Sequence, residues 1–183
     1  PTAADGRDVM VEGVSGILSI ASNATRPKYE PSKRRLTWPN GAIATLYSAE
    51  DPDQLRGPQH DLAWAEEPAS WSDARKGMVA QNTVWSNLMF GLRIRRRGQF
   101  AGPPRVIVTG TPRPLKLILD IMDRARSERG VLTRGTTYDN AANLDTTFFE
   151  DLITMYKGTR VGRQELNAEL LLDVPGALWT LAM

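Results

Sequence analysis

Residues 60–67 read HDLAWAEE and follow a polar connector at residues 49–59. The first six of them are mostly apolar, which predicts a short buried strand. Two adjacent acids, Glu66 and Glu67, stand at its end. Because parallel α/β sheets bind ligands at the carboxyl ends of their strands, both side chains are candidates for ligand chemistry. Taken alone, the pair is more typical of a helix N-terminus, where the helix dipole favours acids.

A second strand is predicted at residues 105–108, which read RVIV. A continuous β-branched run of this kind is typical of a buried strand in a parallel sheet. Thr109, Gly110 and Thr111 follow it, and hydroxyl groups beside a phosphate can bind it by hydrogen bonds. Taken alone, this segment is more typical of a strand followed by a turn and a helix cap.

The remaining patterns predict helices alternating with strands, and therefore an α/β domain with a mainly parallel sheet. Every segment after residue 138 is predicted to be helical, so we expect a core at residues 1–137 and a small helical subdomain at residues 138–183. The predicted elements are a helix at 3–12, a loop at 21–33, a hairpin at 35–48, helices at 72–92 and 114–130, a strand at 131–137, and helices at 147–158 and 160–171.

Composition excludes several classes of site. The 183 residues contain no cysteine and a single histidine, His60, which excludes disulfides, cysteine zinc sites and histidine-based triads. No run approaches the roughly 18 apolar residues of a membrane span, and no signal peptide is evident, so we expect a cytoplasmic protein. Tryptophans are predicted to lie in the core, namely Trp38, Trp64, Trp71 and Trp85.

Basic residues are clustered although the net charge is only +2. Arg56 precedes Gly57 in a predicted loop, where an arginine can reach a phosphate. Two further clusters could meet DNA phosphates, although a solvated surface is the alternative for each. They comprise Lys33, Arg34 and Arg35, and the DNA-binding candidates Arg93, Arg95, Arg96 and Arg97.

Four blocks of sequence together resemble the terminase large-subunit family of tailed phages, prophages and gene-transfer agents. They read LRGPQHDLAWAEE, VIVTGTPRP, YDNAANL and YKGTRVGRQELNAELLLDVPGALW, and their order and spacing agree with the family over nearly the whole chain. The resemblance implies an ATPase of the P-loop type with an additional strand and a catalytic glutamate. It also implies that the GTRVGRQE helices form a small lid subdomain.

The resemblance assigns roles to the candidate residues. Glu66 takes the Walker B position that binds Mg²⁺, and Glu67 takes that of the catalytic base. Arg56 matches an arginine thought to act in trans on the ATP of a neighbouring subunit. The motif that couples hydrolysis to movement falls on the three residues after the second strand, Thr109, Gly110 and Thr111.

The same resemblance implies the partners of the parent protein. They are ATP with Mg²⁺, double-stranded DNA, a portal protein, a small terminase subunit and further copies in a homo-oligomeric ring. Two alternatives remain at the level of sequence. One is the core of a helicase-like DNA translocase, and the other is a degenerate prophage remnant that only binds DNA or portal. The genomic sequence upstream of Pro1 would distinguish a motor fragment from such a remnant.

Three features depart from the family pattern. The family usually has aspartate where this chain has Glu66, and three threonines where Gly110 interrupts the motif. The chain also contains no GxxxxGK[ST] phosphate loop. From the resemblance we expect an internal fragment of an ATPase domain, with the phosphate loop encoded before Pro1 and a nuclease domain after Trp179.

The missing phosphate loop generates a prediction. Backbone N–H groups and a lysine of that loop supply most of the binding of a triphosphate. We therefore expect the purified 183-residue chain neither to bind ATP tightly nor to hydrolyse it. Phosphate release with and without Mg²⁺ measures this, and robust Mg²⁺-dependent hydrolysis by the chain alone would contradict it.

Overall fold

The protein is described by a computed structural model that covers residues 2–127 and 130–172. It divides into two compact units. Unit 1 comprises Pro1–Glu66, Ser70–Asp73 and Ala80–Ile107, and unit 2 comprises Glu67–Ala69, Ala74–Val79 and Val108–Met183. The chain therefore passes between the units five times, first directly after Glu66 and last directly after Ile107. The predicted core at residues 1–137 and lid at residues 138–183 stay a prediction.

Unit 1 begins with the helical segment that the sequence predicts. Thr2 caps helix α1 (Ala3–Asp5), because its side chain accepts a hydrogen bond from the N–H of Asp5. The Asp5 carboxylate in turn accepts a hydrogen bond from the N–H of Thr2. The segment continues as a π-helical turn over Gly6–Val11, and the short helix α2 (Ile17–Ile20) follows. Val11 is fully buried, so this segment contributes to the core of unit 1.

A three-stranded antiparallel sheet confirms the predicted hairpin. Strand β2 (Arg35–Thr37) pairs with β3 (Ile43–Thr45), and Leu36 lies opposite Ala44. The N–H of Gly41 donates to the Trp38 carbonyl at 2.9 Å and closes the turn. The predicted loop at residues 21–33 was wrong in part, because it contains strand β1 (Lys28–Glu30), paired with β2. This strand was missed because it has only three residues and lies between two prolines.

The two acids lie at the end of a strand that belongs to a separate parallel sheet. Strand β4 (Leu62–Glu66) pairs with β5 (Arg105–Thr109). The N–H of Arg105 donates to the Asp61 carbonyl at 3.1 Å. Toward the other end of the strands, the N–H of Glu67 donates to the Thr109 carbonyl at 2.8 Å. Both strands were predicted, and their carboxyl ends lie on the same side of the sheet.

The sheet is less parallel and less buried than predicted. Among the described residues, two strands are parallel and three are antiparallel, so the architecture is mixed α/β. Exposure alternates along β5, and Ile107 is 53% exposed, because side chains of successive strand residues point to opposite faces. The prediction that four tryptophans lie in the core was wrong for Trp64, which is exposed, whereas Trp71 and Trp85 are buried and Trp38 is half-buried.

The long helix predicted at residues 72–92 was wrong. A 3-10 turn at Pro68–Ser70 precedes the region, which itself forms a second 3-10 turn, Ala74–Lys76, and helix α3 (Val84–Gly91). Two residues with positive φ interrupt any continuous helix, Gly77 at +83° and Asn82 at +55°. The helical spacing of apolar residues was therefore a correct signal only for its last two turns.

The start of α3 is fixed by side chains. Thr83 accepts the N–H of Ser86, and the Ser86 hydroxyl accepts the N–H of Thr83, which forms a capping box. Buried Asp73 accepts the N–H of Val84 at 2.8 Å. The Asn87 amide of the same helix donates to the Pro52 carbonyl at 2.8 Å. Helix α3 thereby holds the 3-10 turn Pro52–Leu55, which leads directly into Arg56.

Unit 2 is helical over most of its described length. It contains α4 (Lys116–Ala125), α5 (Thr146–Tyr156) and α6 (Arg160–Glu165). Its core packs Ile118 and Met122 of α4 against Ala69, with Leu115 and Leu170 at the margin. In the part of the chain that the structure describes, no helix is long and apolar enough to span a membrane.

Three predictions in unit 2 need correction. The strand predicted at residues 131–137 is irregular chain, held where the N–H of Thr137 donates to the Leu166 carbonyl at 2.9 Å. The sequence at residues 147–150 matches a capping box and predicts Thr147 as the N-cap, but the N-cap of α5 is Asp145, which accepts the N–H of Phe148. Helix α6 ends at Glu165 and not near residue 171. Residues 173–183, where the predicted helical subdomain leads into a linker to a nuclease domain, lie outside the described residues.

The single histidine predicts a pH dependence of folding. His60 packs edge-on against Tyr47, and its Nε2 atom is buried without a hydrogen-bond partner. Burial lowers the pKa of His60 below its ordinary 6.5, against an opposing effect of Asp61. The unfolded chain therefore binds a proton more readily than the folded chain. The free energy of unfolding should fall as the pH drops below about 6.5 and be retained above it.

The variant His60→Phe isolates this effect because it keeps a planar ring and removes the titration. Urea unfolding at about pH 7.5 and about pH 5 measures the free energy of unfolding of both proteins. We expect the loss on acidification to be smaller in the variant, with carboxylates contributing equally to both. Equal losses would contradict a buried neutral His60.

Candidate functional site

Glu66 and Glu67 follow each other at the carboxyl end of β4 but have different environments. Glu66 is the last strand residue, and its carbonyl accepts the indole N–H of Trp71 at 3.3 Å. Glu67 has a φ of +44°, in the left-handed region. That conformation costs a residue with a Cβ roughly 1–3 kcal/mol and persists only where neighbouring contacts enforce it. The backbone of Glu67 therefore departs from the extended conformation of β4, which ends at Glu66.

The Glu67 side chain is held by the turn that follows β5. The N–H of Thr111 donates to both carboxylate oxygens of Glu67, at 3.2 Å to Oε1 and 3.4 Å to Oε2. The main chain of Glu67 donates to Thr109 in the same turn. Glu67 is therefore oriented at two points by the segment from Thr109 to Thr111. The sequence predicted both segments and the structure brings them together.

Gly110 makes this approach possible. A Cβ atom at this position would lie 3.1 Å from Glu67 Oε2 and 3.2 Å from its Cα. Both separations are shorter than ordinary van der Waals contact, so any larger residue would displace Glu67 or the turn. The close packing of Glu67 against the backbone of Gly110 therefore explains why this chain has glycine at the position where it interrupts the threonine motif.

The turn also contacts helix α6. The Thr111 hydroxyl donates to Glu165 Oε2 at 3.4 Å, and Arg113 Nη2 lies 3.9 Å from Glu165 Oε1. The Thr137 hydroxyl donates to the Glu165 carbonyl at 3.2 Å. A chain of contacts thus leads from Glu67 through Thr111 to the end of α6. The individual roles of Glu165 and Arg113 were missed, although Glu165 belongs to the GTRVGRQE block.

Glu66 is the one residue that the sequence offers for a metal. Among residues 2–127 and 130–172, no group of three or more histidine, aspartate or glutamate side chains could hold a metal ion. A single carboxylate fits Mg²⁺, which keeps several waters and is commonly bound by one or two carboxylates together with substrate phosphates. A single carboxylate is therefore compatible with a magnesium ion that is shared with a nucleotide, whereas the described residues supply no cluster of the kind that holds a structural metal.

Arg56 lies on an exposed loop of unit 1. Its N–H donates to the Asp53 carbonyl at 3.0 Å, and its guanidinium is 3.6 Å from the Asp53 carboxylate. Gly57 follows with a φ of +105° and with open space where a Cβ would stand. An ion pair this exposed is weak, so the guanidinium can exchange Asp53 for another anion.

The two basic clusters differ in how far they are engaged. In the first, Lys33 pairs with Glu30 at 2.7 Å and Arg34 donates to Gln54 at 3.3 Å. In the second, Arg96 donates to the Pro103 carbonyl at 3.0 Å, whereas the other three arginines are exposed. Those three are Arg93, Arg95 and Arg97.

The packing of Gly110 on Glu67 predicts that these residues are energetically coupled. Gly110→Ala and Glu67→Ala should each lower the free energy of unfolding, and the double variant should lose less than their sum by about 0.5–3 kcal/mol. The reason is that removing the carboxylate relieves part of the contact with the new methyl group. Chemical denaturation of the four proteins measures this coupling.

Gly158→Ala provides the control because Gly158 has a φ of +79° and nothing within 4 Å of a Cβ. Its effect should add to that of Glu67→Ala within about 0.3–0.5 kcal/mol. Additive behaviour of Gly110→Ala with Glu67→Ala would show that the close approach does not constrain the protein.

The comparison with known proteins covers the complete chain. A family model described as terminase large subunit, T4likevirus-type, N-terminal, matches residues 1–183. No curated protein and no solved structure matches the chain. The match confirms the resemblance that was carried by the acids after β4, the turn after β5 and the GTRVGRQE block. The chain therefore belongs to the N-terminal family of T4-type terminase large subunits, and its role lies in phage DNA packaging.

Proposed function

We propose that this chain is part of an ATPase of the P-loop type that drives double-stranded DNA into a procapsid. The observation that carries the proposal is the orientation of Glu67. Its carboxylate is fixed by the N–H of Thr111, and its backbone is bound to Thr109. A base for proton transfer must be held in place by contacts that do not use all of its acceptor capacity. An ionised carboxylate has about four lone-pair sites, so these contacts leave capacity for a water molecule.

In this proposal, a water oxygen attacks the γ-phosphorus of ATP and the bond to the ADP oxygen breaks. Glu67 accepts the proton of that water and positions it, which is the main task of protein groups in phosphoryl transfer. Glu66 would hold Mg²⁺, which supplies charge neutralisation on the phosphates when it is bound. Thr109 and Thr111 provide hydroxyl groups in the turn, and Gly110 allows Glu67 to approach it.

Movement would be coupled to hydrolysis through the contacts of the turn with α6. Thr111 donates its backbone N–H to Glu67 and its hydroxyl to Glu165. A shift of one carboxylate would therefore move Thr111 and change its hydrogen bond to the other carboxylate. The segment that contains α5 and α6 would serve as the lid. Exposed charged contacts of this kind are individually weak, which suits a connection that is made and broken in each cycle.

Partners follow from the same proposal. The motor would form a ring in which Arg56 of one subunit reaches the ATP of its neighbour, and it would act with a portal protein and a small terminase subunit. The exposure of Arg56 and its weak pairing to Asp53 support a role in trans. A helicase-like translocase would use the same two acids but would not need a portal or a small subunit for its activity.

Replacement of the proposed base tests the enzymatic function. In the product of the complete reading frame, Glu67→Gln should lower kcat for ATP hydrolysis about 10²- to 10⁴-fold, because the variant cannot accept a proton. Binding of Mg²⁺-ATP should change little, and this can be measured by calorimetry. Glu150→Gln serves as the control because Glu150 is exposed on α5. Equal hydrolysis by Glu67→Gln and the control would rule out Glu67 as the base. Absence of hydrolysis in the unsubstituted protein would favour the alternative, a module that binds DNA or portal without catalysis.

A second experiment tests Arg56. Arg56→Ala should lower kcat by about 10³-fold or more if the guanidinium stabilises the transferred phosphoryl group. Mixing this variant with Glu67→Gln should restore part of the activity, because one subunit then supplies Glu67 and its neighbour supplies Arg56. Steady-state phosphate release over a range of mixing ratios measures the recovery. A lack of recovery in mixed rings would place Arg56 in its own subunit's site or outside any site.

A further inference from the structure

A long central segment of the chain contains basic residues and no acidic ones. Between Asp73 and Asp120 there is no aspartate or glutamate, whereas the same segment carries seven arginines and two lysines. Within unit 1, residues 80–107 include five arginines and no acid. A surface formed by such a segment has a positive potential that neighbouring carboxylates in the sequence do not cancel.

Residues 93–102 of this segment form a defined loop, here called the arginine loop. Arg96 and Gly102 exchange backbone hydrogen bonds of 2.9 and 3.2 Å. The N–H of Ala101 donates to the Gly98 carbonyl at 3.0 Å, and Gly98 has a φ of +71°. The Arg96 side chain donates to the Pro103 carbonyl. Arg96 therefore fixes the shape of the loop, although its sequence context suggested a contact with DNA.

The other arginines of the loop present their charge to solvent. Arg93, Arg95 and Arg97 are exposed, and no ion pair within the described part of the chain involves them. Phe100 lies between the two glycines of the loop and is 68% exposed. The loop thus combines three exposed guanidinium groups with an exposed aromatic ring on a hydrogen-bonded backbone.

We infer that the arginine loop is a DNA-binding element in which Arg93, Arg95 and Arg97 bind backbone phosphates and Phe100 packs against sugar or base. Guanidinium groups bind phosphate oxygens with two hydrogen bonds, and an exposed phenylalanine can insert between the base steps of a duplex in its minor groove. An acidic protein would satisfy the arginines but would give no comparable reason for an exposed phenylalanine among them. The inference deepens the proposed packaging function, on which it rests for the identity of the nucleic acid.

Charge neutralisation in the 183-residue chain tests the arginines. The triple variant R93Q/R95Q/R97Q is compared with R75Q/K76Q/R124Q, which removes three exposed charges from unit 2. Fluorescence anisotropy with a labelled duplex measures affinity at several salt concentrations. Each lost phosphate contact lowers the salt slope by about 0.9, so the wild type should lose about 40-fold more affinity than the triple variant between about 50 and 200 mM salt.

The aromatic contact needs a separate variant. Phe100→Ala should weaken binding of the duplex about fivefold or more at every salt concentration and leave the salt slope unchanged, because no charge is lost. Phe90→Ala is the matched control, since Phe90 is an exposed phenylalanine of α3 in the same unit. Circular dichroism of each variant checks that the fold is retained.

Two outcomes would overturn the inference. Equal salt slopes for R93Q/R95Q/R97Q and the wild type would show that these arginines do not bind phosphates. Competition by poly-glutamate as effective as that by DNA of equal charge would assign the loop to an acidic protein. Failure of the proposed ATPase function is separate, because it appears in the hydrolysis assay of Glu67→Gln and leaves these binding measurements unaffected.

Discussion

The hydrogen bonds from the Thr111 N–H to the Glu67 carboxylate are the contact on which the candidate site depends. They join the two segments that leave the parallel sheet, one after β4 and one after β5. They also help to hold Glu67 in a left-handed conformation that is unfavourable for a residue with a Cβ. Backbone donors are suited to this task because their position is fixed by the turn and costs no side-chain entropy. The same contact requires glycine at position 110, since a side chain there would occupy the space of the carboxylate.

Within unit 2, this contact is the first of several hydrogen bonds that connect Glu67 to the end of α6. Thr111 contacts both ends of this connection. Its N–H donates to Glu67, and its hydroxyl donates to Glu165 at the end of α6. Thr137 holds the backbone of Glu165, which ties irregular chain to the same helix end. The charged side chains that make this connection, Arg113 and Glu165, are 49% and 41% exposed. Contacts between exposed charges are weak, so the connection adds little to the stability of unit 2.

Unit 1 uses a different principle, in which buried polar side chains define where elements begin. Asp73 and Thr83 fix the first residue of α3, and Asn87 on that helix fixes the turn before Arg56. The exposed charge of unit 1 lies elsewhere, on the arginine loop, whose shape depends on Arg96. One arginine of a cluster can thus have a structural contact while the side chains of its neighbours are exposed to solvent. Sequence clustering alone does not separate these two roles.

The amino-acid sequence by itself determined the strands that lead to the site, the hairpin around Trp38 and Gly41, and the family. These follow from local patterns, because alternation, β-branched runs and turn residues act over a few neighbouring positions. The sequence did not determine the length of α3 or the N-cap of α5, since the competing caps differ only in contacts made after folding. Only the tertiary structure decided that Gly110 packs on Glu67 and that Glu165 meets Thr111. Those residues are 43 and 54 positions apart, and such pairs are set by the path of the chain and not by any local preference.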